Sequence, residues 1–144
     1  MPMVAESPYG LVDATLPDDA LPVPWRSVHR VRPRVRLLCR WCRRALHAKV
    51  SSRGLRFFAH DVEDKRCRLT GETLQHRLLK SALAGAVRLC GWHAILEARD
   101  ADGRWIADVL ATSPDGSRRI AWEAQLARQN DDDTLKRTDK YRLP

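Results

Sequence analysis

The stretch Glu97-Ala98-Arg99-Asp100-Ala101-Asp102-Gly103-Arg104-Trp105-Ile106-Ala107-Asp108 has a carboxylate at each end and an Asp-Gly dipeptide between them. Asp-Gly favours a tight hairpin turn, because glycine accepts the positive φ that such turns require. With Asp102 and Gly103 central, strand pairing sets Glu97 opposite Asp108. A second dipeptide, Asp115-Gly116, sets Glu123 opposite Asp108 in the same way. Strands are therefore expected over residues 93–99, 104–112 and 118–126. Directly opposed side chains have Cβ atoms about 5 Å apart, so three carboxylates would line up across one sheet face. Like charges so placed repel, and a hard cation with oxygen ligands, Mg²⁺ or Mn²⁺, would offset the repulsion. The alternative is a solvent-facing row with slipped register, since a slip of one residue turns a side chain to the other face.

Gln125 falls two residues after Glu123, on the same side of its strand. Its amide can orient a water but cannot act as a base. Upstream, residues 72–89 contain no proline, and Leu74, Leu78, Ala82, Leu83, Ala86 and Leu89 recur at helical spacing. The pattern predicts an amphipathic helix ended by Cys90-Gly91. Glu72, His76 and Lys80 form one stripe of it at four-residue spacing. Packed over the sheet, the stripe would supply a further metal contact, a proton-transfer group and a phosphate-binding cation. Left unpacked, it is a solvated helix face. Downstream, Asp131-Asp132-Asp133 suits the positive amino end of a helix over residues 131–142, with Leu135 and Tyr141 as apolar anchors.

Cys39 and Cys42 are two residues apart, and His60 and Cys67 follow at the far side of a second alternating segment. That order gives a Cys₃His set able to bind Zn²⁺ and to staple a module too small to hold its own core. A redox pair or unliganded thiols are the alternatives, and the redox reading wants a βαβ context that is missing here. The segment between the ligands, residues 45–59, reads as a hairpin: Leu46, Ala48 and Val50 alternate, Ser51-Ser52-Arg53-Gly54 turns, and Leu55 and Phe57 alternate again. Before it, Arg30, Arg32, Arg34 and Arg36 alternate with Val31, Val35 and Leu37, which predicts a strand with one charged face, at a sheet edge because of Pro33. Residues 1–29 carry Pro2, Pro8, Pro17, Pro22 and Pro24 and no sustained period, and are expected as a loop or partly ordered lead-in. Cys90 is expected to pack as a small apolar residue. Trp41, Trp92, Trp105 and Trp122 are expected in core or hairpin packing, with stacking on a base as the alternative for Trp41, and His29, His47 and His93 at ordinary surface or half-buried positions.

Among 144 residues, 26 Lys+Arg stand against 18 Asp+Glu, for a formal charge of +8 and a pI near 9.9. That balance favours a polyanionic partner. Its distribution is sharper: Arg26 to Arg56 contains eleven Lys and Arg and no acid. Arg30, Arg32, Arg34, Arg36, Arg40, Arg43 and Arg44 are thus the candidate contacts to a DNA backbone, with a solvated basic face as the alternative. No apolar run reaches the roughly 18 residues of a membrane span and the amino terminus lacks a signal pattern, so a cytoplasmic protein without membrane contact is expected. In that reducing compartment the cysteines read as ligands or core residues rather than disulfides.

Taken in order, Cys39-x2-Cys42, Arg56-Phe57-Phe58-Ala59-His60, Gly71-Glu72-Thr73-x2-His76-x3-Lys80, Glu97, Ala107-Asp108-Val109, Trp122-Glu123-Ala124-Gln125 and Arg137-Thr138-x2-Tyr141 resemble the competence protein CoiA-like family of the PD-(D/E)xK nuclease superfamily. The resemblance implies an α+β fold: a zinc-ribbon-like basic β module over residues 30–68 and a restriction-endonuclease-like αβββα core over residues 69–144. It implies metal-dependent phosphodiester hydrolysis linked to processing of DNA taken up by the cell. Asp108 and Glu123 match the superfamily's metal ligands, helped by Glu97 or Glu72. Gln125 stands where the superfamily usually has lysine, which leaves Lys80 or His76 as substitutes. The family core continues into a further strand, whereas this sequence stops at Leu143-Pro144. The sheet is therefore expected to lack its last strand, which a protein partner or a second copy could supply, or to bind DNA without cutting it.

Overall fold

The computed structural model describes residues 1–141 and is an α+β protein with two antiparallel sheets and two α-helices. It divides into two compact units, Met1–Arg77 and Leu78–Pro144, with the division inside the first turn of the long helix.

The first unit is a five-stranded sheet in the order β2-β1-β3-β4-β5, formed by β1 (Val4–Ser7), β2 (Gly10–Asp13), β3 (Leu37–Cys39), β4 (Ala45–Val50) and β5 (Arg56–His60). The hairpin expected over residues 45–59 is present as β4 and β5, in register from Val50↔Arg56 to Leu46↔His60. Residues 1–29, expected as loop, instead supply two strands and much of the core: Met3, Val4, Ala5, Val12 and Trp25 are all buried. The prolines fall outside β1 and β2, so they remove no ladder hydrogen bond. Gly10 closes the tight β1–β2 turn with a φ of 125°, a conformation that a side chain would strain. The sheet curls until the backbone N–H of Phe58, on β5, donates to Pro2 O at 2.8 Å. Phe58, fully buried, meets the Trp25 ring at a centroid separation of 5.4 Å.

The strand expected over residues 30–37 does not form; only Leu37 enters β3. Pro33 has no N–H to offer a ladder, and Arg30 sits at a φ of 55°, outside the strand region. The alternation nonetheless survives as exposure: Arg30, Arg32, Arg34 and Arg36 are exposed while Val31 and Val35 are half-buried.

The second unit holds most of α1 (Leu74–Leu89), a sheet in the order β6-β7-β8 and α2 (Asp131–Asp139), with β6 at His93–Arg99, β7 at Ile106–Thr112 and β8 at Arg119–Trp122. The expected register is present in both hairpins. Leu96 pairs Val109 and Ala98 pairs Ala107, which bracket Glu97 and Asp108; Val109 pairs Trp122, one step before Glu123. Strand β8 stops at Trp122, so Glu123 and Gln125 lie just past the ladder rather than within it. Residues 142–144, with which the sequence ends after the last expected helix, lie outside the described residues.

Helix α1 turns a different side inward from the one its leucines suggest. Lys80 and Ala84 are 0% exposed, while Leu89 is 91% exposed. Leu83, Ala86 and Val87 border a shallow apolar groove with Trp92, Ala111, Ile120 and Trp122. Cys90 is exposed at the rim of that groove rather than packed, because it follows the last helical turn. Among the described residues no helix is long and apolar enough to cross a membrane.

Truncating Phe58 removes a fully buried ring beneath the curl of the first sheet. Phe58→Ala is expected to cost about 3–5 kcal/mol, read as a lowered urea midpoint for the unit that contains it.

Candidate functional site

Two clusters of chemistry-bearing side chains form, one in each unit. In the first, Cys39 ends β3, Cys42 sits in the turn that follows, His60 ends β5 and Cys67 lies in the loop beyond it. The turn is held by Cys39 N donating to Arg44 O at 2.9 Å and Arg43 N donating to Cys39 O at 3.0 Å. Arg43 adopts a φ of 63°, a left-handed conformation that costs a non-glycine residue on the order of 1 kcal/mol. The result brings all four ligand atoms within 4.8 Å of one another.

The separations inside that cluster suit a tetrahedral ion. With Zn–S bonds of about 2.3 Å, sulfurs around zinc stand about 3.8 Å apart. Cys39 Sγ and Cys67 Sγ are 3.7 Å apart, and Cys42 Sγ lies 3.3 Å from His60 Nε2. Burial pushes the Cys39 thiol up to about 12 and the Cys67 thiol up as well, and it pushes the His60 imidazole down. Burial thus penalises thiolates that lack a counter-charge, and a divalent cation at their centre reverses that penalty. A Cys₃His cluster able to hold zinc is therefore present.

The arginines around it are less free than an acid-free stretch of sequence suggests. Arg43 pairs with Glu6, Arg44 with Asp64 at 2.9 Å, Arg34 with Asp61 at 3.6 Å and Arg56 with Asp18 at 2.7 Å. Arg56 also lies over the Trp25 ring, at 5.2 Å. Arg32 and Arg36 are exposed with no ion-pair partner among the described residues. Arg30 is exposed and Arg40 half-buried.

In the second unit the carboxylates of the expected row have distinct partners. Glu97, 2% exposed, accepts from Lys80 Nζ at 2.8 Å. Its φ of 51° breaks strand alternation, so Leu96, Glu97 and Ala98 are all buried in succession. Lys80, expected to face a phosphate, is instead a fully buried ion-pair partner. Asp108 accepts from the Ala124 backbone N–H at 2.8 Å, which pins the chain leaving β8 beside β7. Glu123 accepts from Tyr141 Oη and from Lys140 Nζ at 3.3 Å, with Arg137 3.9 Å away. Burial raises the Glu123 carboxyl most; Lys140 opposes that rise, and the neighbouring Asp108 charge adds to it. Among the described residues, Glu97, Asp108 and Glu123 do not close into one metal-sized cluster of three.

Gln125 donates to Ala127 O at 3.0 Å and accepts from Arg137 at 3.2 Å. Glu72 and His76 are half-buried and lie in the first unit, ahead of the division in α1. Lys140 was not among the residues singled out by sequence, although its three-residue spacing from Arg137 puts both on one side of α2. Tyr141 Oη also lies 3.1 Å from Ile106 O, and its ring meets Trp105 at 5.2 Å, which ties the end of α2 to the start of β7.

Comparison with protein-family models, curated proteins and solved structures found no match to the chain.

Two outcomes are expected. Purified protein should carry about one equivalent of zinc, and Cys39→Ser should lose it and unfold the first sheet, because structural zinc contributes about 10 kcal/mol or more; elemental analysis showing well under one equivalent removes the site. Glu97→Gln, which removes the carboxylate charge facing a buried ammonium, should cost about 3–5 kcal/mol. Adding Lys80→Met to it should restore much of that loss in urea unfolding.

Proposed function

We propose that the chain is a metal-dependent DNA nuclease-like domain of the CoiA-like kind, with a zinc-stapled basic module ahead of its hydrolytic unit. The observation that carries this reading is the register of the second sheet, which sets Asp108 level with Glu97 and, one step past β8, with Glu123. Two further observations support it. Burial raises the Glu123 carboxyl, and the nearby Asp108 charge adds to that rise. The buried Lys80 holds Glu97 in place beside them.

Asp108 and Glu123 are the side chains that would hold Mg²⁺ or Mn²⁺, and their mutual repulsion is the fit such an ion requires. The ion would supply Lewis-acid polarisation of a phosphodiester and of an attacking water. The chain's own groups do the rest. Ala124 N–H fixes one oxygen of Asp108. Gln125 orients rather than deprotonates, because an amide has no basic site near neutral pH. Lys80 offsets the charge of Glu97. The exposed Arg32 and Arg36 of the first unit contribute charge for backbone binding without base readout. Thiol ligands fit a reducing compartment such as the cytoplasm.

A second reading is favoured by one observation: Glu123 already accepts from Tyr141 and Lys140 and has Arg137 near it. A carboxylate neutralised in this way needs no cation, and the unit would then bind nucleic acid without cutting it.

Incubating linear and circular DNA with the protein in Mg²⁺ or Mn²⁺ separates the two. Cleavage by the parent and none by Asp108→Asn is the expected result. Salt-sensitive binding with no cleavage in either metal selects the second reading, and cleavage by Asp108→Asn at the parent's rate removes the first.

A further inference from the structure

The segment that follows β8 folds back beside α2, and the two enclose an open cleft lined by Gln125, Arg128, Gln129, Asp133, Lys136, Arg137 and Lys140. Four of its side chains are cationic and one is acidic. Arg128 and Lys136 are exposed and have no ion-pair partner among the described residues. Arg137 and Lys140 face both ways: they line the cleft and they are also the cations beside Glu123. The cleft therefore lies beside the Glu123 carboxylate. α2 lends rigidity to its wall, because Asn130 caps the helix by accepting from Asp133 N at 2.8 Å.

We propose that this cleft is a phosphodiester-binding site, which seats the backbone of a nucleic acid strand so that it passes beside Glu123. The inference rests on the nucleic-acid reading above and assigns the contacts to α2 rather than to the arginine-rich stretch of the first unit. Three features of the cleft carry it. Cations outnumber acids four to one in a concave, solvent-filled space, where an anion is the complementary occupant. Arginine at residues 128 and 137 can grip a phosphate through two parallel N–H groups, while Lys136 and Lys140 act as point charges. Gln125 and Gln129 offer neutral donors that tolerate any base sequence. A phosphate drawn to Lys140 and Arg137 also competes with Glu123 for the same cations. Backbone binding thereby leaves the Glu123 carboxylate less neutralised and more receptive to a divalent ion, and by linkage the ion favours the backbone.

The test is fluorescence anisotropy of a labelled DNA duplex across a salt series, without added divalent cation and without chelator, so that structural zinc is left in place. The probe is titrated with the parent and with the double variant Arg128→Gln, Lys136→Gln. Neither residue pairs with Glu123 in the structure, and circular dichroism shows whether the variant keeps its helices. Each lost phosphate contact lowers the slope of log K against log salt by about 0.9, so the double variant should lose about 1.8 from the slope. Its affinity should fall roughly tenfold to a hundredfold near 0.1 M salt. A parent that binds DNA and a folded double variant with the same slope and affinity overturn the cleft assignment while leaving the nucleic-acid reading intact. A parent that does not bind the duplex at any salt overturns both.

Discussion

A lysine ammonium with no exposure to water has to be neutralised where it stands, and in this protein Glu97 does so at 2.8 Å. Much of the second unit is arranged around that need. The helix that carries Lys80 turns its leucines partly outward, leaving Leu89 almost fully exposed, so that the ammonium points inward. The strand that carries Glu97 accepts a left-handed residue in mid-ladder, so that three consecutive side chains are buried. Backbone strain and misplaced leucines both cost stability, and a desolvated pair gives little net stability in return. Such an arrangement persists where a charge is wanted in one place. Here that place is one residue across the sheet from Asp108.

The first unit solves a different problem. Its strands are short, three to six residues each, and short strands with few neighbours hold weakly on their own. The Cys₃His cluster links the ends of β3 and β5 and the loop beyond. Trp25 and Phe58 fill the space beneath the curl, and Arg56 covers the tryptophan while pairing with Asp18. Acids distant in sequence, Glu6, Asp18, Asp61 and Asp64, return to a stretch that has none of its own.

Local signals in the sequence carried the second unit well. Two Asp-Gly turns were enough to place β6, β7 and β8 in the register observed, because a turn centre determines every pair that follows it. The zinc-type cluster was legible for a similar reason: ligand type and spacing are local facts about Cys39 and Cys42, and His60 and Cys67 close the set. What was hidden was tertiary. Nothing about Lys80 and Glu97, on different elements, announced a buried pair, and leucine periodicity pointed to another face of α1. Residues 1–29 looked unstructured because prolines are punctuation in any window, yet each falls outside a strand. The stretch from Arg30 to Leu37 had the right alternation for a strand, but Pro33 lacks the hydrogen-bond donor and Arg30 is left-handed.

The curl that returns Phe58 to Pro2 also orders events in time. In the second unit each strand pairs with its neighbour in sequence, so its hairpins can close as soon as they are made. In the first unit β1 lies between β2 and β3, and β3 is separated from β1 by a long irregular stretch. Non-local pairing of that kind is slow, because loop closure must precede any gain from contact. During synthesis the opening strands therefore wait, incompletely paired, until β5 has been made, and the later-made unit has the topology of the faster folder.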